Sequence, residues 1–163
     1  MKGKWTAVLL VVLAICLLTG CDQYPLGNTV ICKDLQLTVP GDFMDLSAES
    51  YALDADFMYG WNTLVCKGLA EDKSQLQEMS LDGYTALVIS GNGRSCTPQP
   101  CGDGYMFSYE AAIGDASYTY TIATYEGPSN FWILQFYCPS EDLEKNQPEI
   151  NMILESIQVH SGG

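Results

Sequence analysis

Residues 105–138 constrain this chain more than any other stretch. Three runs rich in aromatic and β-branched residues, 105–112, 117–125 and 130–138, are separated by Gly114-Asp115 and by Gly127-Pro128-Ser129. Turn-forming residues at that spacing mark hairpin connections. Within the runs the period is two. Tyr105, Phe107, Tyr109 and Ala111 alternate with Met106, Ser108 and Glu110, and Tyr118, Tyr120 and Ile122 alternate with Thr119, Thr121 and Ala123. A strand sends successive side chains to opposite faces, so the pattern predicts an antiparallel meander with unlike faces.

The flanking segments predict what surrounds it. Residues 29–32 and 35–39 are short β-rich runs about Lys33-Asp34, a hairpin ending at Pro40-Gly41. Residues 57–59 and 63–67 form a second hairpin about Gly60-Trp61-Asn62. Ser80 is positioned to cap a helix that carries Leu81, Tyr84, Leu87 and Val88 at three-to-four spacing and stops at Gly91 and Gly93. A second helix has Pro148 in its first turn and an apolar stripe of Ile150, Ile153, Leu154 and Ile157. Residues 157–159 continue as a short edge strand. Strands, a helix, a meander and a closing helix describe an α+β fold.

The N-terminus sets location. Lys2 and Lys4 precede an apolar run from residue 7 to residue 18, which closes on Leu18-Thr19-Gly20-Cys21. The run is shorter than the roughly 20 residues a membrane span needs. It resembles a bacterial lipoprotein signal, which implies diacylation of the Cys21 thiol and cleavage before it. The expected organisation is a signal peptide over residues 1–20, a lipidated tether over 21–28 and a single domain over 29–160. Two acyl chains hold a protein stably on a bilayer. Fully extended, the tether reaches roughly 25 Å. The domain is therefore expected at the cell membrane, close to the bilayer on the extracytoplasmic face, attached through Cys21.

Charge narrows the partners. Removing residues 1–20 leaves 143 residues and takes both Lys2 and Lys4, so five basic residues face twenty acidic ones and the formal charge moves from −13 to −15. Nucleic acid is excluded, because its phosphates reward Lys/Arg patches, and electrostatic docking on anionic lipid is disfavoured. A cation or a basic partner is compatible with such a surface.

Chemistry is sparse in the sequence. Beyond Cys16 and Cys21 there are five cysteines, Cys32, Cys66, Cys96, Cys101 and Cys138. An odd number outside the cytoplasm leaves at least one without an intrachain partner. Cys96 and Cys101 bracket Thr97-Pro98-Gln99-Pro100 and are candidates for a disulfide that staples the loop. They do not form a Cys-x-x-Cys redox pair, and a single histidine gives no zinc set. That histidine, His160, is the fourth residue from the end, where chains usually fray, so no catalytic arrangement is expected on it. Asp54, Asp56 and Asp103 supply oxygens without the alternating acids of a calcium loop. No phosphate-binding loop, metal site or cofactor is expected, and no catalytic residue is assigned. Of the meander aromatics, Tyr105, Tyr109, Tyr118, Tyr120, Tyr125 and Trp132 serve either as core or as a ligand platform, with core the more frequent role. Residues 91–104 are the longest turn-rich stretch; their Arg94 and Asp103 are candidate partner-binding residues.

The chain also resembles the small PsbP-like lipoproteins and secreted proteins of Gram-positive bacteria. The residues that carry this are Leu35-Gln-Leu-Thr-Val-Pro40, Phe57-Met-Tyr-Gly60, Cys66-Lys-Gly-Leu69, Leu81-Asp-Gly-Tyr84, Phe107-Ser-Tyr109, Tyr118-Thr-Tyr120, Phe131-Trp132 with Phe136, and Ile153-Leu-Glu-Ser-Ile157. The resemblance covers nearly all of the chain after the signal. It implies an α/β/α sandwich, an antiparallel sheet flanked by helices, in a group of assembly and binding factors without shared catalytic residues. The expectation is therefore a non-enzymatic envelope protein that binds a protein partner. The alternatives are a small-ligand or divalent-cation binding protein and, more remotely, an envelope hydrolase or thiol enzyme.

Overall fold

The computed structural model describes residues 27–160 apart from Ser50, Tyr51, Leu53 and Gln77. Cys21 and the signal segment lie outside the described residues. The elements run β1 (Asn28–Cys32), β2 (Leu35–Val39), β3 (Met44–Asp45), β4 (Phe57–Trp61), β5 (Leu64–Asp72), α1 (Leu81–Gly91), β6 (Gln99–Cys101), β7 (Gly104–Ile113), β8 (Ala116–Glu126), β9 (Asn130–Pro139), α2 (Leu143–Glu155) and β10 (Gln158–Val159). Seven strands form one antiparallel sheet in the order β3-β4-β5-β9-β8-β7-β6, and β1, β2 and β10 form a second, smaller one. The expected α+β architecture, an antiparallel sheet flanked by helices, is what the chain adopts. The meander lies in the large sheet as the alternation predicts, with Tyr109 opposite Tyr120 and Tyr120 opposite Tyr137.

The two faces of β9 show the layering. Phe131 packs with Tyr84, Val88 and Ile89 of α1 and with Phe107 and Ile122. Trp132, Leu134, Phe136 and Cys138 face the other way, toward Ile150 and Ile153 of α2 and toward Val30, Leu35, Leu37 and Val39 of the small sheet. Each fully buried large side chain contributes roughly 1.5–3 kcal/mol. Because both faces are covered, β8 buries five consecutive residues, Thr121 to Tyr125, where its alternation predicts one buried face. Ile157–Val159 ends as expected in an edge strand, with Gln158 opposite Gln36 and Val159 opposite Leu35.

Several local expectations are corrected. The second hairpin turns at Asn62-Thr63, and Gly60 and Trp61 stay in β4. Asn62 takes φ 51°, a left-handed conformation that Asn tolerates. Gly60 instead makes room for Leu46, whose Cδ1 would lie 2.8 Å from a Cβ there. In α1 the buried face is Tyr84, Thr85, Val88 and Ile89, while Leu87 is exposed. Thr85 sits inside because its hydroxyl bonds Thr124 Oγ1 at 2.7 Å and the Leu81 carbonyl at 2.8 Å. Pro148 lies in the interior of α2, not its first turn, because a short 3₁₀ turn (Ser140–Asp142) runs directly into Leu143. The carbonyl that Pro148 leaves without its helical partner belongs to Glu144, an exposed residue.

One residue ties the sheets together. Asp34, in the β1–β2 turn, is 3% exposed. Its carboxylate accepts hydrogen bonds from Ser129 N (3.0 Å), Asn130 N (3.2 Å), Asn130 Nδ2 (3.0 Å) and Trp132 Nε1 (2.7 Å). Its carbonyl accepts from His160 N at 2.9 Å, so the C-terminal end of β10 is held and does not fray at that point.

Candidate functional site

The 91–104 segment is built locally by its own sequence. Ser80 caps the start of α1, accepting from Gly83 N at 3.3 Å. The helix ends with Gly93 at φ 66°, and Gly93 N and Arg94 N return to the Ser90 and Ile89 carbonyls. Asn92 locks the exit: its Nδ2 donates to the Val88 carbonyl and its Oδ1 accepts from Tyr109 Oη at 2.9 Å. The chain then folds back as β6 along β7, with Cys101 opposite Gly104 and Pro100 opposite Tyr105. An edge strand tolerates proline, whose missing donor costs nothing on the open side. The segment is therefore a hairpin strand on the sheet edge and not only a surface loop.

Concavities border this segment on both sides. One is a cleft of about 640 Å³ between the β6–β7 turn, the end of β8 and the α2–β10 junction. Leu154, Ile157 and Val159 make an apolar wall, and Asp103, Glu126, Glu155 and His160 stand around it. At its floor the Tyr125 hydroxyl meets the Cys101 thiol at 3.5 Å. Tyr125 is 3% exposed, and burial, the Cys101 contact and the Asp103 charge push its phenol above the usual range. Among the described residues no Lys or Arg lines the cleft. On the other side, Asp82, Thr85, Ser90, Arg94, Cys96 and Tyr105 border a concavity of about 340 Å³ between α1 and the segment.

The sequence-predicted residues are divided among these places. Asp103 faces the large cleft, and Cys101 lies at its floor. Arg94 and Cys96 border the smaller concavity. The Arg94 guanidinium is turned onto the protein itself, over the Tyr109 ring at 4.3 Å, with Nη2 donating to the Glu110 carbonyl at 3.2 Å. Cys32, Cys66, Cys96, Cys101 and Cys138 are all free thiols, so the Cys96–Cys101 bridge is not formed in this structure. Burial raises the thiols of Cys32 and Cys138 and pushes Cys66 up to about 12. Asp54 and Asp56 pair with Lys67 and Lys33. Among the described residues no group of three or more His, Cys, Asp or Glu side chains gathers as a metal site.

The meander aromatics separate by face. Trp132 and Tyr125 are core. Tyr109, Tyr120 and Tyr137 stack at 5.2 and 5.7 Å between centroids, with interplanar angles of 11° and 26°. Their faces are turned on one another, so the stack offers ring edges to a ligand more than a flat platform. Sequence reasoning names Tyr125 only as one of the meander aromatics, sets His160 aside as a catalytic residue, and misses Glu126 and Glu155. The available signal was positional: Glu126 precedes the turn glycine Gly127, and Glu155 is an acid in the last turn of a helix, where a base is favoured.

No family model matches the chain, and no curated protein matches it in sequence. A 1.50 Å crystal structure from Bacteroides thetaiotaomicron is similar with a TM-score of 0.57 at 12% identity, covering 83% of this chain and 49% of that one. The chain thus spans about half the length of that protein. Other similar solved structures are cyanobacterial PsbP from Synechocystis (TM-score 0.48, 7% identity, 86% of this chain and 96% of that one) and LpqN, involved in cell envelope biogenesis of Mycobacterium tuberculosis (TM-score 0.43, 14% identity, 87% and 88%). PsbP, whose family the sequence resembles, is therefore among the structural neighbours. At such identities the likeness concerns the fold alone. No helix among the described residues is long and apolar enough to cross a membrane.

Proposed function

We propose that this protein is a lipid-anchored, extracytoplasmic module of the cell envelope that binds a partner protein and is not an enzyme. The observation that carries the binding reading is the cleft between the β6–β7 turn and the α2–β10 junction, where an apolar wall meets converging polar groups. The anchoring reading rests on Leu18-Thr19-Gly20-Cys21. The chemistry of the cleft is better suited to recognition than to catalysis. Tyr125 holds its proton more tightly than a free phenol, and no hydrogen bond orients the His160 imidazole among the described residues. A small-ligand reading of the same cleft has one specific support, its volume of about 640 Å³, which lies within the range of about 300–1,000 Å³ for small-molecule sites.

The test is a pull-down from membranes with the native anchor intact, comparing wild type with the charge-reversed Asp103→Lys/Glu155→Lys variant. Lost recovery of a partner at unchanged melting temperature is expected. Equal recovery from both would sink the cleft as the binding site. For the anchor, Cys21→Ala is expected to move the protein out of the detergent phase, and a variant that stays there with unaltered mobility refutes lipidation at Cys21.

A further inference from the structure

We propose that the cleft takes an alkylammonium group on an apolar stem, the chemistry shared by a lysine side chain and a short free diamine. The inference rests on the binding reading above and names its ligand class. Three acids reach the cleft from three separate elements: Asp103 from the β6–β7 turn, Glu126 from the end of β8 and Glu155 from the end of α2. Only Glu126 has an ion-pair partner, Lys73, which also donates to the Gly127 carbonyl at 3.2 Å. Asp103 and Glu155 have none among the described residues.

A second, independent feature points the same way. The negative end of the α2 dipole lies at this cleft, and a cation is favoured there. The last turn of α2 carries no base and ends on an acid, Glu155. This breaks the local rule for helix ends, and such conflicts are expected at functional sites. An external cation would relieve it.

The remaining walls choose the kind of cation. Leu154, Ile157 and Val159 offer a surface for methylene groups, which a hydrated metal ion does not use. Tyr125 is buried, and its hydroxyl meets the Cys101 thiol at 3.5 Å, its one hydrogen-bond partner among the described residues. A thiol is a weak hydrogen-bond partner, so the hydroxyl oxygen keeps acceptor capacity for an N–H donor. The described residues also lack a gathered metal-ligand set. Acid, apolar wall and a buried acceptor together describe a site for an organic amine.

The test uses the full processed chain in a non-ionic detergent, titrated with 1,5-diaminopentane and with Nα-acetyl-lysine N-methylamide. Amide shifts are followed by NMR at Cys101, Gly102, Asp103, Val159 and His160. Saturable shifts with one or both amines are expected; response to the lysine amide alone assigns a peptide-borne amine, and response to the diamine alone a free one. Glu155→Gln and Asp103→Asn are each expected to weaken binding about two- to fivefold, the range for exposed charge pairs. Three results would overturn the inference: no saturable shift with either amine, the same shifts with 1-pentanol or calcium chloride, or unchanged affinity in the folded double variant. Amine binding with no effect of charge reversal on the membrane pull-down would remove the protein-partner reading and leave this one standing. The converse result would remove this one alone.

Discussion

Asp34→Ala should be among the most damaging single substitutions in this fold. It removes a carboxylate that is 3% exposed and accepts four hydrogen bonds, two from backbone amides, one from Asn130 and one from the indole of Trp132. Trp132 is fully buried, and the substitution removes the acceptor of its Nε1. A buried donor left without a partner costs about 1–3 kcal/mol. Counting Trp132 over the full range and the three part-buried donors at the low end gives a loss of about 4–6 kcal/mol. That is a large share of the roughly 5–15 kcal/mol that stabilises a typical domain. Asp34→Asn keeps the shape and one acceptor but turns an NH₂ toward donors, so about half that loss is expected. Urea unfolding read by tryptophan emission measures both. An Asp34→Ala loss under about 1 kcal/mol with an unchanged denaturant slope would refute the reasoning.

The same residue sets an acid limb of stability. Burial alone would push the Asp34 carboxyl up, but the hydrogen bonds from Ser129, Trp132 and Asn130 overcome it and hold the group below the ordinary carboxylate value. A depressed folded value means the stabilisation is fully present above the unfolded carboxyl's value, about 3.9, and is lost as pH falls through the folded one. Stability measured from pH 5 downward should fall less steeply in Asp34→Ala than in wild type. Equal slopes would exclude Asp34 as a source of the acid limb.

Further outcomes can be checked with standard methods. Ile153, fully buried on α2 against the sheet, should cost about 2–5 kcal/mol as Ile153→Ala, and a loss under about 0.5 kcal/mol would take the helix off the core. Under brief iodoacetamide treatment of the native protein, exposed Cys96 should be modified first. Cys66 and Cys138 should react only after unfolding, and early modification of Cys66 would contradict its burial. Non-reducing mass spectrometry of protein isolated from cells should show whether oxidation joins Cys96 to Cys101; in that event Cys101 leaves Tyr125 and amine affinity at the cleft changes.

The parts of this fold that can be read from sequence are those whose signal is local. The meander declares itself because strand period and turn residues lie within one continuous stretch. The Ser80 cap and the Ile150–Ile153 stripe are likewise contained in a few residues. Leu87 and Pro148 were misplaced because their local signals are ambiguous and tertiary context decided. A buried Thr85–Thr124 pair shifts the inward face of α1, and a 3₁₀ turn starts α2 early. The cleft was illegible for a different reason. Its walls come from residues 101–103, 125–126, 154–155 and 157–160, which nothing in the sequence brings together. The candidate loop drew attention to Asp103 and Cys101 but also to Arg94, whose charge the fold directs onto Tyr109.

Stability and site share one physical origin at Asp34. The residue lines no part of the cleft, yet its carbonyl holds His160 N and its carboxylate holds the turn that follows Glu126. Gly127 is the residue that permits this approach, because a Cβ there would lie 2.4 Å from Asp34 Oδ2. Two walls of the cleft are thus referenced to a single residue, one through its buried carboxylate and the other through its backbone carbonyl. Loosening it moves Glu126 and His160 without altering the charge of any group that lines the cleft. Asp34→Asn should therefore lower amine affinity in conditions where the protein remains folded, and do so together with the amide shifts at His160. If affinity is unchanged while stability falls, the cleft is held by α2 and β8 alone, and the Asp34 network serves the fold only.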